Sequence, residues 1–134
     1  MTDGSRWVQH SSGTLDLLYD VACGNGVFVA VGNEGKIVTS LDGVAWTERN
    51  SGTDERLRGI AFGNGLFVAV GYGGTVMTSK GGIKWKLRNS GTEERLQMVA
   101  FDRGVFVAVG WKGVILTSAK GTRWTVRNAG TSEQ

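Results

Sequence analysis

Short apolar runs alternate with glycine-rich breaks along the whole chain. In the central third, the runs at 57–62, 66–71, 75–79 and 85–89 are rich in Val, Ile, Leu, Phe or Trp, and Gly or Asn lies between them. Runs of this length and composition predict β-strands, which we name A, B, C and D in that order, whereas nothing in the pattern favours helix. An all-β protein is expected.

The breaks between the runs predict tight hairpins. Gly63-Asn64-Gly65 joins strands A and B, and its Asn-Gly pair tolerates the positive φ angles that a two-residue hairpin requires. Strand B reads Phe-Val-Ala-Val-Gly in each third of the chain, so it is apolar on both faces. Such a strand fits between two packed sheets.

The pattern repeats at a fixed interval. A tryptophan recurs every 39 residues, at positions 7, 46, 85 and 124. A period between about 20 and 50 residues is typical of arrays in which each unit packs on its neighbours. We therefore interpret residues 1–134 as a single repeat domain whose units start at Trp7, Trp46 and Trp85.

Each repeat carries a turn with a family resemblance. Residues 40–46, Ser-Leu-Asp-Gly-Val-Ala-Trp, resemble the Asp-box turn of the BNR repeat in sialidase-like β-propellers. With the L-x-G-x-A-F-G-N-G-x-F-V-A-V-G run, the unit is similar to a blade of the Ycf48-like and other BNR-repeat propellers. The box is one residue tighter than usual. Gly81 and Lys120 replace Asp42 in the next two units, and only Asp3 and Asp42 keep the acid.

The resemblance implies which end of the blades binds ligands. It places the Asp box in the C-to-D turn on a lower face, and the D-to-A and B-to-C connections on an upper face where propellers usually bind. These upper connections gather aromatic, basic and acidic side chains, whereas the framework strands are occupied by packing. The candidate ligand-binding residues are Asn33, Glu55, Arg56, Tyr72, Glu94, Arg95, Trp111 and Lys112.

Three blades of four strands do not close a ring, since propellers typically have four to eight blades. We expect a homo-oligomer, in which a dimer gives six blades, within this range, and a trimer gives nine, outside it. The chain also holds one surplus D-like strand, because an outer-strand segment at 1–14 and a closing strand at 124–131 flank the array. A single-chain β-trefoil is the alternative architecture, and a piece of a longer array or an engineered repeat is a further one.

Composition excludes several classes of function. The net charge of +3 is spread without a Lys/Arg run, so we expect no nucleic-acid partner. No apolar run approaches the roughly 18 residues of a membrane span, and the first residues form no export signal, which makes a cytoplasmic location the default. One Cys and one His give no disulfide and no zinc site, and no cofactor is expected. Cys23 replaces Phe62 and Phe101 and is predicted to lie in the core.

Catalysis is not expected. Sialidase chemistry needs converging arginines and a tyrosine paired with an acid, yet unit one has Leu17 where the others have Arg56 and Arg95. The acidic pairs at 54–55 and 93–94 lie beside those arginines, which would neutralise them.

The repeated Trp and the Arg-Asn pairs that follow it have structural interpretations. Each Trp is predicted to anchor the outer strand of its blade against the next blade. The Arg-Asn pairs are predicted to be solvated or paired across strands. They lie at 49–50, 88–89 and 127–128.

The sequence therefore predicts a non-catalytic propeller module that binds or scaffolds another protein. The alternatives are lectin-like multivalent binding of carbohydrate, or a repeat fragment or engineered propeller with no ligand.

Overall fold

The computed structural model describes residues 7–127, which form three four-stranded antiparallel sheets. In chain order we name the sheets blades 1, 2 and 3. The strands are β1 Leu18–Gly24, β2 Val27–Gly32, β3 Ile37–Ser40 and β4 Thr47–Arg49; β5 Leu57–Gly63, β6 Leu66–Gly71, β7 Val76–Ser79 and β8 Lys86–Arg88; β9 Leu96–Asp102, β10 Val105–Gly110, β11 Ile115–Ser118 and β12 Thr125–Arg127. The predicted all-β class and the four strands per repeat are confirmed.

Each blade is a simple meander of consecutive strands. The order within every sheet is the order of the chain, and each sheet contains strands of only one repeat. The β-trefoil alternative is wrong for residues 7–127, because strands from different repeats would have to pair in a common barrel. The predicted hairpin chemistry is confirmed at the β5–β6 turn, where Asn64 and Gly65 have φ angles of 52° and 76°.

The surplus strand does not form over the part of it that the structure describes. Residues 7–14 belong to no strand, and Trp7 is 93% exposed. The closing strand predicted at 124–131 is present as Thr125–Arg127, and its remainder lies outside the described residues. Asp3 and Asn128 also lie outside them.

The core lies between neighbouring blades. Val29, Val31 and Ile37 of blade 1 pack against Leu57 and Phe67 of blade 2. The equivalent residues of blades 2 and 3 form a second cluster. Because both of its faces are covered in this way, blade 2 has a central strand, β6, whose residues from 67 to 71 are all buried. Apolar burial between sheets is therefore the main stabilising contact.

The serine and the tryptophan of the box turn recur in all three blades, whereas the acid does not. In blade 2 the Gly82 N–H donates to Ser79 Oγ at 2.8 Å, and Trp85 Nε1–H donates to the Gly82 carbonyl at 2.9 Å. The same two bonds occur at the equivalent positions of blades 1 and 3. Trp85 packs on the cluster shared with blade 1, so the prediction that it faces the next blade is wrong. Trp85 therefore packs the C–D turn of blade 2 against blade 1.

The repeated arginines are bonded across strands, as predicted. Arg49, Arg88 and Arg127 each donate from Nε to a threonine Oγ1 on the neighbouring strand, at 2.9 to 3.0 Å.

In the first box, Asp42 makes the turn dependent on pH. The backbone N–H groups of Val44 and Ala45 and the hydroxyl of Ser40 hold the pKa of the Asp42 carboxyl below its ordinary value of 3.8. A depressed folded-state pKa stabilises the fold above the unfolded value, and this contribution is lost as the pH falls through the folded-state pKa. Asp42→Asn should therefore lower the urea midpoint at neutral pH, with the difference from the parent shrinking below a pH of about 4.

The matched control is Asp102→Asn, which removes an exposed carboxylate that accepts no backbone N–H in the described residues. In a dilute monomer it should leave the urea midpoint nearly unchanged at both pH values. A pH-independent difference between Asp42→Asn and the parent protein would contradict the assigned role of the Asp42 carboxylate.

Cys23 is exposed, so its predicted place in the core is wrong. Its counterpart Phe62 packs flat on Gly24 of the preceding blade, where an added Cβ would lie 2.2 Å from the Phe62 Cγ. Phe101 packs in the same way on Gly63. The aromatic position is therefore buried by the preceding blade. Among residues 7–127, blade 1 has no preceding blade to cover Cys23.

No helix within residues 7–127 is long and apolar enough to cross a membrane.

Candidate functional site

The two ends of the blades carry different connections. The A–B and C–D turns share one end, since the Asn25 side chain donates to the Lys80 carbonyl across blades 1 and 2 at 3.2 Å. The D–A loops and B–C turns lie together at the opposite end, where Tyr72 N–H donates to the Arg56 carbonyl at 2.9 Å. The predicted sorting of connections into two faces is therefore present in the geometry.

A backbone bond brings the two upper connections together within each blade. Trp111 N–H donates to the Arg95 carbonyl at 2.9 Å, as Tyr72 N–H does to that of Arg56. Gly110 allows this close approach, because a Cβ there would lie 2.0 Å from the Arg95 carbonyl oxygen. The side chain at the B–C tip is thus held beside the arginine that ends the D–A loop.

These contacts assemble a guanidinium–aromatic stack across all three blades. It consists of Arg58, Tyr19, Arg56, Tyr72, Arg95 and Trp111. The Arg95 Cζ lies 4.7 Å from the ring centre of Tyr72 and 4.2 Å from that of Trp111. The Arg56 Cζ lies 5.0 Å from Tyr72 and 5.7 Å from Tyr19. All these separations are within the range of cation–π attraction.

Asn33 is the polar counterpart of the aromatic tips. Its Oδ1 accepts a hydrogen bond from Arg56 Nε at 3.1 Å, so blade 1 holds the arginine of blade 2. In the same way Tyr72 of blade 2 holds Arg95 of blade 3. The predicted residues Asn33, Arg56, Tyr72, Arg95 and Trp111 are therefore brought together along the upper face.

The predicted acids are arranged differently from expectation. Glu94 Oε2 lies 3.9 Å from Lys112 Nζ; the lysine side chain is exposed and that of Glu94 is partly buried. Within residues 7–127, Arg56 and Arg95 form no salt bridge with Glu55 or Glu94, so the predicted neutralisation is wrong. The two guanidinium groups lie beside aromatic rings instead.

Tyr19 and Arg58 were missed by the sequence interpretation. Both lie in first strands of blades, and the Arg58 Cζ is 4.5 Å from the ring centre of Tyr19. The sequence does mark this position. It is the second residue of the first strand in each repeat, and it carries a polar or tyrosine side chain in a mainly apolar strand: Tyr19, Arg58 and Gln97. The Arg58 Nε is buried and has no hydrogen-bond partner in the described residues.

The stack provides directional hydrogen-bond donors. The Arg95 guanidinium lies beside the rings of Tyr72 and Trp111 and stays exposed, so its N–H groups are accessible to a ligand. Such donors suit carboxylates and carbonyl oxygens. Trp111 adds an apolar surface that is 46% exposed. Over residues 7–127, no three His, Cys, Asp or Glu side chains converge on a possible metal position.

Comparison with solved structures identifies the fold. The chain superposes on a structure described as YCF48 bound to D1 peptide with a TM-score of 0.72 and 16% identity, over 89% of this chain and 41% of that one. It superposes on YCF48 from Cyanidioschyzon merolae with a TM-score of 0.68 and 18% identity, over 83% of this chain and 37% of that one.

The likeness to known proteins lies in the structure and not in the sequence. No family model matches the chain. No curated protein matches it either. The BNR and Asp-box interpretation stays a prediction. The chain spans about two fifths of the length of the two YCF48 structures, and its fold is that of β-propeller blades.

Proposed function

We propose that the protein is a non-catalytic binding module that holds a segment of another protein on its upper face. The observation that supports this is the guanidinium–aromatic stack, which joins three arginines and three aromatic side chains across the blades. No catalytic role, cofactor or metal is part of the proposal.

The chemistry of the stack favours a peptide as the ligand. Arginine edges pair with carboxylates and backbone carbonyls, and aromatic rings add contact area at low entropic cost. Arg and aromatic residues are also the side chains most often found at the energetic centres of protein interfaces. The solved neighbour described as YCF48 bound to D1 peptide supports a peptide ligand for this fold, although that protein is only 16% identical.

Arg95→Gln tests the proposal because it removes the central guanidinium of the upper stack. Peptides selected from a random displayed library on the parent protein should bind the variant about tenfold more weakly or worse, since a central charged contact contributes at least ~1.4 kcal/mol. Titration calorimetry with one enriched peptide measures the change.

Arg123→Gln is the matched control. It removes the same charge from an exposed position in the C–D turn of blade 3, on the lower face. Its affinity for the peptide should stay within about twofold of the parent value. An equal loss of peptide affinity in the two variants would show that only the net charge of the protein matters. An unchanged affinity in Arg95→Gln would refute the site.

Carbohydrate is the second candidate ligand, because the half-exposed ring of Trp111 is a stacking surface of the kind that sugars use. A glycan array distinguishes the two. Binding that free sugar competes away and that Trp111→Ala abolishes favours the lectin; a silent array together with enriched peptides favours protein binding. Silence in both assays supports a repeat array without a ligand.

We also propose that the blades are completed by further copies of the chain, two giving six blades or three giving nine. The proposal is supported by the two blade faces, one on blade 1 and one on blade 3, that no other blade covers within residues 7–127.

A further inference from the structure

Blade 1 exposes the face that blade 2 buries. Leu57 and Phe67 of blade 2 are fully buried against blade 1, whereas their counterparts Leu18 and Phe28 are each 37% exposed. Val21, the counterpart of buried Ile60, is 55% exposed. These side chains form an apolar sheet face that no other blade covers within residues 7–127. A groove of about 540 Å³ lies along part of this face, and it is lined by Leu18 and Val21 together with Val8, His10 and Ser12 of the segment before β1.

Blade 3 exposes the opposite face. Val70 and Val76 of blade 2 are fully buried against blade 3. Their counterparts Val109 and Ile115 lie in the strands β10 and β11, where the first is exposed and the second half-buried. The two ends of the array therefore present the two halves of the interface that the chain already forms twice internally.

At the edge of each interface between blades, two residues meet, one from each blade. At the two open faces of the array both of these residues are replaced, one by a larger side chain and the other by a smaller one. Internally a glycine meets a phenylalanine, as Gly63 meets Phe101, because a Cβ on Gly63 would lie 2.1 Å from the ring. Blade 3 has Asp102 at the glycine position, which excludes a phenyl ring. Blade 1 has Cys23 at the phenylalanine position, which is small enough to accommodate the added side chain.

A second pair of residues, on the upper face, is also replaced on both of its sides at the open faces. The B–C tip of each blade meets the last D–A residue of the following blade: Tyr72 meets Arg95 across blades 2 and 3. At the open ends the tip is Trp111 and the D–A residue is Leu17, which is 62% exposed. An apolar residue thus replaces the cation at the one junction that would continue the array from Trp111.

From these two substituted pairs we infer that blade 3 of one chain packs head to tail on blade 1 of a second copy, with Asp102 facing the partner's Cys23 and Trp111 facing the partner's Leu17. The inference rests on the proposed homo-oligomeric closure and not on the proposed peptide binding. The interface is heterologous, so it repeats around a ring and covers every open face once the ring closes.

Engineered crosslinking tests the pairing with the native thiol as one partner. At the internal counterpart, the Cβ positions lie within about 4 Å, since an added Cβ on Gly24 is 2.2 Å from the Phe62 Cγ. This separation is suitable for a disulfide, which spans ~3.5–4.5 Å between Cβ atoms. Asp102→Cys should therefore give, under mild oxidation, a several-fold excess of interchain disulfide joining positions 23 and 102, identified by peptide mass mapping.

Asp54→Cys is the matched control, because it makes the same chemical change at an exposed upper-face position away from the proposed interface. Adding Cys23→Ser to the Asp102→Cys chain should abolish the 23–102 product. Native mass spectrometry of the unmodified protein should show a dimer or trimer.

Two results would overturn the inference, and they are distinguishable. An oligomer in which the 23–102 disulfide is no more abundant than crosslinks of the Asp54→Cys control refutes this pairing of faces while leaving homo-oligomerisation intact. A monomer at all concentrations refutes both. The affinity of the upper face for peptide is measured separately with Arg95→Gln.

Discussion

Replacing Phe67 by alanine is expected to lower the free energy of unfolding by about 3–5 kcal/mol. The ring is fully buried between blades 1 and 2, with Phe62 at 4.7 Å and Trp85 at 6.5 Å between ring centres. The substitution removes the apolar contacts of the ring and leaves a cavity that the surrounding strands only partly fill. Urea denaturation followed by tryptophan fluorescence measures the loss.

Phe28→Ala is the matched control within the same chain. Phe28 occupies the equivalent position in blade 1 but is 37% exposed. Its loss should cost about 1–2 kcal/mol in a dilute monomer, because water already replaces part of the packing. Equal costs for the two substitutions under those conditions would contradict the difference in burial. In an assembled ring, by contrast, the cost at residue 28 should rise towards that at residue 67.

Gly63→Val is expected to destabilise the protein by about 3 kcal/mol, at the upper end of the range for overpacked sites. An added Cβ would lie 2.1 Å from the Phe101 ring, so blades 2 and 3 must separate to admit it. The backbone at this position is extended, so valine itself suits the strand and the cost comes from the lost contact between blades. Thermal unfolding of the variant measures it.

The same side chain at the counterpart position should be tolerated in a dilute monomer. Asp102→Val places valine at the end of β9, on the uncovered face of blade 3, where it meets no ring in the described residues. We expect a change within about 0.5 kcal/mol. A comparable loss in both variants would mean that valine disturbs the hairpin rather than the packing between blades.

The strands were predictable because glycine marks their ends. The predicted B strand at 66–71 coincides with β6, and the C and D strands begin only one residue later than predicted. The positions of the strand ends are local information, since turn geometry depends on a few consecutive residues. That the D–A and B–C connections share one face was implied by the resemblance to propeller blades.

Contacts between blades were not predictable from spacing alone. The contacts of Arg95 with Tyr72 and Trp111 depend on how two sheets dock, and the sequence instead suggested pairing of that arginine with adjacent acids. Cys23 and the N-terminal segment were misassigned for a related reason. Repeat alignment assigns equal environments to equivalent residues, whereas within residues 7–127 blades 1 and 3 each have one neighbouring blade and blade 2 has two.

Because the stack crosses the junction of blades 2 and 3, it links ligand capture to local unfolding. Opening of blade 3 away from blade 2 separates Arg95 from Tyr72 while leaving Arg56 on its own ring. A ligand that bridges both arginines therefore opposes this opening. Amide hydrogen exchange in β9 and β10 should slow on binding, whereas exchange in the already protected β6 should change little. The protein would then bind its ligand more tightly when blade 3 is packed on blade 2 than when the two blades are apart.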